Sequence, residues 1–347
     1  MFERPKRDEE PSLQTAILQA VAYADLFDYP LTAAELHQYL VGTPAPPFVV
    51  QSILEEDGLI ARRLSCRDGF FTLRGRESIV ETRRHRTENA IGMWQRARRY
   101  GSVITRLPFV RMVGVTGALA VDNVESDTDI DFLIVTESGR LWLCRAFVVA
   151  LVRLAAFLGD DLCPNYFLTE RALILPERSL FTAHELAQMV PLSGLATYRR
   201  MRQLNAWVLD FLPNAFGQTR TGQNSLSLRH KDVAPVFGNW RSARRLSEVA
   251  LATRGGTWLE HWEMERKIRK FGAQSKTFQA FSSSSEATLR EDQEVSFCAD
   301  RCKGHFQPHG QRILEAFAER LQSLDLPFPA IAASGVSLGS GPGGGCR

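Results

Sequence analysis

The chain has 347 residues, enough for two or three domains, and its 44% hydrophobic and 23% charged residues are ordinary for a globular protein. A formal net charge of +3 is too mild to argue for nucleic acid by bulk attraction. Six cysteines (Cys66, Cys144, Cys163, Cys298, Cys302, Cys346) form no small-domain disulfide framework, and Met1 to Pro11 lacks the apolar run of a signal peptide, so a cytoplasmic setting is expected.

Leu13 to Phe27 carries apolar residues at helical spacing and is stopped by Pro30. Thr32 and Glu35 form a capping-box pattern that opens a second helix to about Leu40. After the break at Thr43 to Pro47, a third helix is expected over Phe48 to Asp57, ended by Gly58. Leu59 to Leu64 and Phe70 to Leu73 read as two strands around a turn at Arg67-Asp68-Gly69. Three short helices followed by a hairpin resemble a winged helix-turn-helix. That resemblance implies contact with nucleic acid or with a protein partner through residues 13–73, and both readings stay open. Arg62, Arg63 and Arg67 suit phosphate, whereas Glu55, Glu56 and Asp57 on the third helix would repel it.

Gly75 to Tyr100 is expected to form one basic helix, with Arg83, Arg84, Arg86, Arg96, Arg98 and Arg99. These either pair with Glu77, Glu81 and Glu88 along a solvated face or present a phosphate-binding surface. Strand and helix then alternate: strand Val110 to Val115, strand Ile130 to Thr136, helix Leu141 to Leu158, strand Leu162 to Leu168. Helices follow at Ala183 to Met189 and Gly194 to Leu212. Pro164 suggests an edge position for the strand that contains it. The apolar run Leu141 to Leu158 holds Arg145 and Arg153, which reads as a buried helix rather than a membrane span. Beyond Phe216 helical periodicity persists at Arg241 to Phe271 and Gln311 to Leu324. Gly217 to Ser227, Ser282 to Ser285 and Ser334 to Gly345 have the composition of flexible segments.

The run from Gly117 to Val135 carries the chemistry. A strand ends at Gly117, a polar loop follows, and the next strand begins Asp129-Ile130-Asp131. Alternate strand residues share a face, so Asp129 and Asp131 project together while Ile130, Phe132 and Ile134 serve the other side. Two adjacent carboxylates at a core edge repel one another, and a cation removes the penalty. Oxygen ligands of this kind suit Mg²⁺ with substrate phosphates completing its shell.

The stretch resembles the signature of the DNA polymerase beta-like nucleotidyltransferases, especially the minimal bacterial and archaeal members. Gly117 takes the glycine position, and eleven residues separate it from Asp129. Asp129 and Asp131 match the metal-binding pair, and Asp127 matches an extra acid often found two residues earlier. The resemblance implies Mg²⁺ or Mn²⁺ at Asp129 and Asp131, and NTP phosphates cradled by Thr116, Gly117, Ala118 and Asp127. It also implies transfer of an NMP to an acceptor hydroxyl or amine. Ala118 departs from the family's serine, and Thr116 is a substitute for its hydroxyl. The third catalytic carboxylate is assigned to Asp161, with Asn165 a neutral alternative by strand alternation.

The expectation is therefore an α+β protein with no membrane segment. A winged-helix-like domain occupies 1–74 and a basic connecting helix 75–104. A nucleotidyltransferase-fold mixed sheet with flanking helices occupies 105–216, followed by a partly flexible helical and low-complexity region at 217–347. The alternative function is a non-catalytic NTP-sensing regulator that binds DNA or protein. Three further patterns are read as structural or surface features. Cys298, Cys302, His305 and His309 are too tightly spaced for a normal zinc module. Glu260, Glu263 and Glu265 with Trp258, Trp262 and Met264 make an amphipathic helix with a packed apolar side. Arg199, Arg200 and Arg202 read as a solvated helix face.

Overall fold

Ser12 accepts a hydrogen bond from the Thr15 N–H and starts the first helix, α1 (Leu13–Asp25). Both halves of the capping box at Thr32 and Glu35 are formed, and they open α2 (Ala33–Gln38). The computed structural model describes residues 12–56, 58–126, 128–216, 240–282, 298–303 and 309–333. α3 (Pro47–Glu56) follows, then α4 (Gly58–Arg63). A small antiparallel sheet is built from β1 (Leu31–Thr32), β2 (Leu64–Arg67) and β3 (Phe70–Leu73) in the order β1-β3-β2. The expected strand at Leu59 to Leu64 is thus helical over most of its length. Ile60 and Leu64 are buried four residues apart while Arg62 and Arg63 between them are exposed, and that is a helical period rather than a strand period.

The basic helix α5 (Ile79–Arg106) crosses to a second, five-stranded sheet. Its strands are β4 (Val110–Val115), β5 (Ile130–Thr136), β6 (Leu162–Thr169), β7 (Val190–Ser193) and β8 (Arg301–Lys303), in the order β7-β4-β5-β6-β8. β5 and β6 are parallel, joined by α7 (Leu141–Phe157), and every other pairing is antiparallel. Remaining helices are α6 (Gly117–Ala120), α8 (Leu180–Gln188), α9 (Leu195–Leu204), α10 (Val208–Phe211), α11 (Trp240–Leu251), α12 (Arg254–Ser282), α13 (His309–Ser323) and α14 (Ala330–Ala333). Over the described residues the protein is a mixed α/β chain with two sheets. Among the described residues no helix is long and apolar enough to cross a membrane.

Each face of the large sheet packs on a different set of helices. Val113, Val115, Ile130, Phe132 and Ile134 pack with α5 and α7. On the opposite face, Met112, Leu133, Val135 and Leu168 join a core that runs through α8, α10 and α13 into the N-terminal helices. Tyr23 of α1 stacks on His184 of α8 with ring centroids 4.1 Å apart. Asp25, almost fully buried, pairs with both Arg76 and Arg320. The small sheet and its helices are thus docked against the rest of the chain through one continuous apolar core.

Several expectations are corrected by packing. β6 is not an edge strand: β8 from the distant C-terminal region covers it at Tyr166 to Leu168. Pro164 is accommodated by a register shift against β5, between the Asp131–Cys163 and Leu133–Tyr166 pairs. β7, which contains Pro191, was hidden between the two expected helices and forms the opposite edge. α7 is only partly enclosed, since Leu154 and Phe157 are exposed.

On α12 it is Glu260 and Glu263 that are buried, while Trp258 and Trp262 are exposed. Glu260 accepts the N–H groups of Trp142 and Leu143 at 2.9 and 2.7 Å, satisfying the start of α7. The arginines of α5 reach other elements more than their own helix. Arg83 forks onto Glu35 beneath Tyr29 and Phe70, and Arg86 meets Glu125 at 2.6 Å. Arg202 lies over the Phe216 ring, while Arg199 and Arg200 are exposed. Gly217 to Ser227 and Ser334 to Gly345 lie outside the described residues, as do Ser283 to Ser285.

Candidate metal centre

β4 is followed by Thr116, whose backbone is extended and whose N–H donates to the Asp131 carbonyl at 3.1 Å. The chain then turns at Gly117 with φ +67°, a region that favours glycine. The turn is also tight against the acid pair. A Cβ on Gly117 would stand 2.5 Å from Oδ2 of Asp131. Glycine is therefore required twice at this position, for its backbone angle and for the approach to the carboxylate.

The loop from Val121 to Asp129 is pinned by α5. Trp94 Nε1 donates to Asp122 Oδ1 at 2.6 Å, Arg86 bonds Asn123 and Glu125, and Asn89 reaches the Val124 carbonyl. Arg86 and Asn123 both also donate to the carbonyl of Phe27, which ties this loop to the N-terminal unit. Asp127 lies outside the described residues.

Asp129 is exposed and Asp131 half-buried. Asp131 stands opposite Cys163 in the parallel register of β5 and β6. One ligand atom from each of Asp129, Asp131 and Cys163 lies within 4.8 Å of the others. Burial, then the charge of Asp129, pushes Asp131 up to about 7, although the Cys163 thiol partly offsets this. Burial and the same two carboxylates push the Cys163 thiol well above the usual range.

A further acid bears on the pair. Glu185 of α8 faces the same side of the sheet. Burial and the charge of Asp131 raise it to about 7, with partial relief from Lys303 and the backbone amide of Gly117. Neighbouring His184 is pushed down to about 4 by burial, while its Nδ1 and the Leu180 carbonyl lie 2.9 Å apart. Hence it is neutral near pH 7 and supplies no counter-charge.

Of the residues expected here, Thr116, Gly117, Asp129 and Asp131 are gathered together. Ala118, within α6, packs on the core beneath the sheet. Asp161 immediately precedes β6. It is exposed, its carbonyl accepts the Ile130 N–H at 3.2 Å, and its carboxylate is not in the close group. Asn165 loses its alternation because the register shift puts Tyr166, not Asn165, beside Leu133.

The two groups that sequence reasoning missed are Cys163 and Glu185. Cys163 lies midway between Asp161 and Asn165 at the same strand parity, so its position was readable. Glu185 had no local signal, because only the folding of α8 over the sheet brings it in. The pattern Cys298, Cys302, His305, His309 is not gathered among the described residues, and His305 lies outside them.

Comparison with protein-family models, with curated proteins and with solved structures gives no match.

Proposed function

We propose that this chain is a divalent-metal-dependent nucleotidyltransferase that moves an NMP from an NTP to an acceptor hydroxyl or amine, releasing pyrophosphate. The observation that carries this reading is the convergence of Asp129 and Asp131 at the mouth of the Gly117 turn. Such a donor set fits a cation held by Asp129 and Asp131. When bound, the cation would neutralise charge on the reacting phosphates.

The chain's own residues set the rest of the site. Gly117 keeps the turn thin enough for a phosphate to approach the carboxylates. Arg86, Asn89 and Trp94 hold the intervening loop from below. Glu185, whose carboxyl feels the charge of Asp131 and the backbone amide of Gly117, is the candidate to take a proton from an acceptor hydroxyl.

Residues 13–73 are proposed as a winged-helix-like docking unit. Their core is continuous with α8, α10 and α13, and Arg67 is already paired with Glu81. This favours a protein or intramolecular partner over DNA.

A second reading, an NTP-sensing regulator without catalysis, is favoured by one feature: Cys163 stands where a third carboxylate would support transfer. The two readings separate on incubation with each NTP, Mg²⁺ or Mn²⁺, and candidate acceptors, following pyrophosphate. Release that disappears in Asp129→Asn/Asp131→Asn supports transfer. Saturable binding without release from any NTP supports the sensor.

A further inference from the structure

The sulfur of Cys163 sits in the position that decides what kind of cation this centre accepts. It belongs to β6, directly opposite Asp131, and its Sγ lies within 4.8 Å of carboxylate oxygens from both Asp129 and Asp131. Donors on one tetrahedral cation with bonds of about 2.0–2.3 Å lie about 3.3–3.8 Å apart, so the three side chains have to draw together by up to about 1.5 Å to share one ion. The register between β5 and β6 shifts directly after the Asp131–Cys163 pair, before Leu133 meets Tyr166.

Two pairings hold the donors in place: β6 sets Cys163 opposite Asp131, and the Thr116 N–H donates to the Asp131 carbonyl at 3.1 Å.

We propose that Asp129, Asp131 and Cys163 form a mixed carboxylate–thiolate centre that takes a borderline or soft divalent cation of the Zn²⁺, Co²⁺ or Cd²⁺ kind in preference to Mg²⁺. Thiolate is a poor donor to Mg²⁺ and a strong one to these ions, so replacing one oxygen by sulfur reverses the usual preference of an all-carboxylate pair. On coordination the thiol gives its proton to solvent, and the sulfur–metal bond replaces the S–H bond. Glu185 stays outside the ligand set as a neighbouring carboxylate. This inference concerns the same site as the proposed transferase, but it stands on the metal alone and requires no nucleotide.

The test is titration of the full, metal-stripped chain with Co²⁺, Cd²⁺ and Mg²⁺ in turn, without nucleotide, under reducing conditions. The native chain should show a near-ultraviolet sulfur-to-Co²⁺ charge-transfer band at one equivalent. It should also bind Cd²⁺ at least roughly a hundredfold more tightly than Mg²⁺. Cys163→Ser should lose the band. Cys163→Asp, which supplies an oxygen at the same position, should bring the Cd²⁺ preference down by about tenfold or more.

A band that survives in Cys163→Ser, or an unchanged metal preference in both variants, overturns the proposal. Failure here leaves Mg²⁺-dependent nucleotide binding by Asp129 and Asp131 untouched. Conversely, loss of nucleotide binding in every form, with the Co²⁺ band intact, defeats the transferase reading and not this one.

Discussion

Gly117 and Asp131 are packed so closely that a single methyl group on the glycine would stand 2.5 Å from the carboxylate oxygen. The pair joins the end of β4 to the start of β5, and the Thr116 N–H bonded to the Asp131 carbonyl makes the join rigid. Gly117→Ala must both strain a backbone at φ +67° and push the carboxylate aside. We expect a loss of about 1–2 kcal/mol in stability by denaturant melts. Metal affinity should fall more steeply in isothermal titration, because the displaced group is itself a ligand.

Without a cation, Asp131 destabilises the folded chain at neutral pH. In the unfolded chain it ionises near its ordinary value of 3.8, whereas folded it keeps its proton up to about 7. Between these values the unfolded state binds fewer protons, so the contribution is favourable below pH 4 and is lost as pH rises through 7. Asp131→Asn cannot ionise. In chelator, the variant should match the native chain at pH 4 and exceed it by about 2 kcal/mol at pH 8, after allowance for partial exposure. His184, pushed down to about 4, acts in the opposite sense in both proteins and cancels in the difference. An equal gap at both pH values would contradict this.

Asp25 links three parts of the chain, with Arg76 before α5 and Arg320 on α13 both directed at one buried carboxylate. Removing it leaves two guanidinium groups without their shared partner. Asp25→Ala is expected to cost roughly 3 kcal/mol and to raise proteolytic release of the N-terminal unit. Single changes at Arg76 or Arg320 should cost less, since each is about a third exposed at the side chain.

Glu260 is a buried acid whose role is structural. It accepts from the N–H groups of the second and third residues of α7, and Glu260→Ala would leave both without this acceptor in a dry setting. A loss of about 2 kcal/mol is expected. A change in Trp142 fluorescence should accompany it, because the indole N–H is held 3.1 Å from the Cys298 carbonyl in the same corner.

What the sequence made legible follows from how local each signal is. The strands Val110–Val115 and Ile130–Thr136 and the Thr32/Glu35 cap are set by residues within a few positions, and they appear as read. The common face of Asp129 and Asp131, opposite Ile130, Phe132 and Ile134, is simple strand alternation. Non-local features were hidden. β8 lies more than a hundred residues beyond the strand it covers at Tyr166 to Leu168, and no local pattern announces that pairing. The inverted face of α12 depends on α7 needing an acceptor, which no periodicity reveals. Glu185 enters the site only because α8 is clamped between the sheet and Tyr23.

The central claim is a metal–nucleotide site at Asp129 and Asp131. Thermal unfolding of the native chain and of Asp129→Asn/Asp131→Asn, with each NTP in the presence and absence of Mg²⁺ or Mn²⁺, tests it most directly. Ligand at about a hundred times its dissociation constant should stabilise the native chain by about 2.7 kcal/mol. The account predicts a metal-dependent rise in melting temperature with at least one NTP, and none in the double variant. Unchanged melting of the native chain at saturating NTP and metal, or an equal rise in the variant, would contradict it.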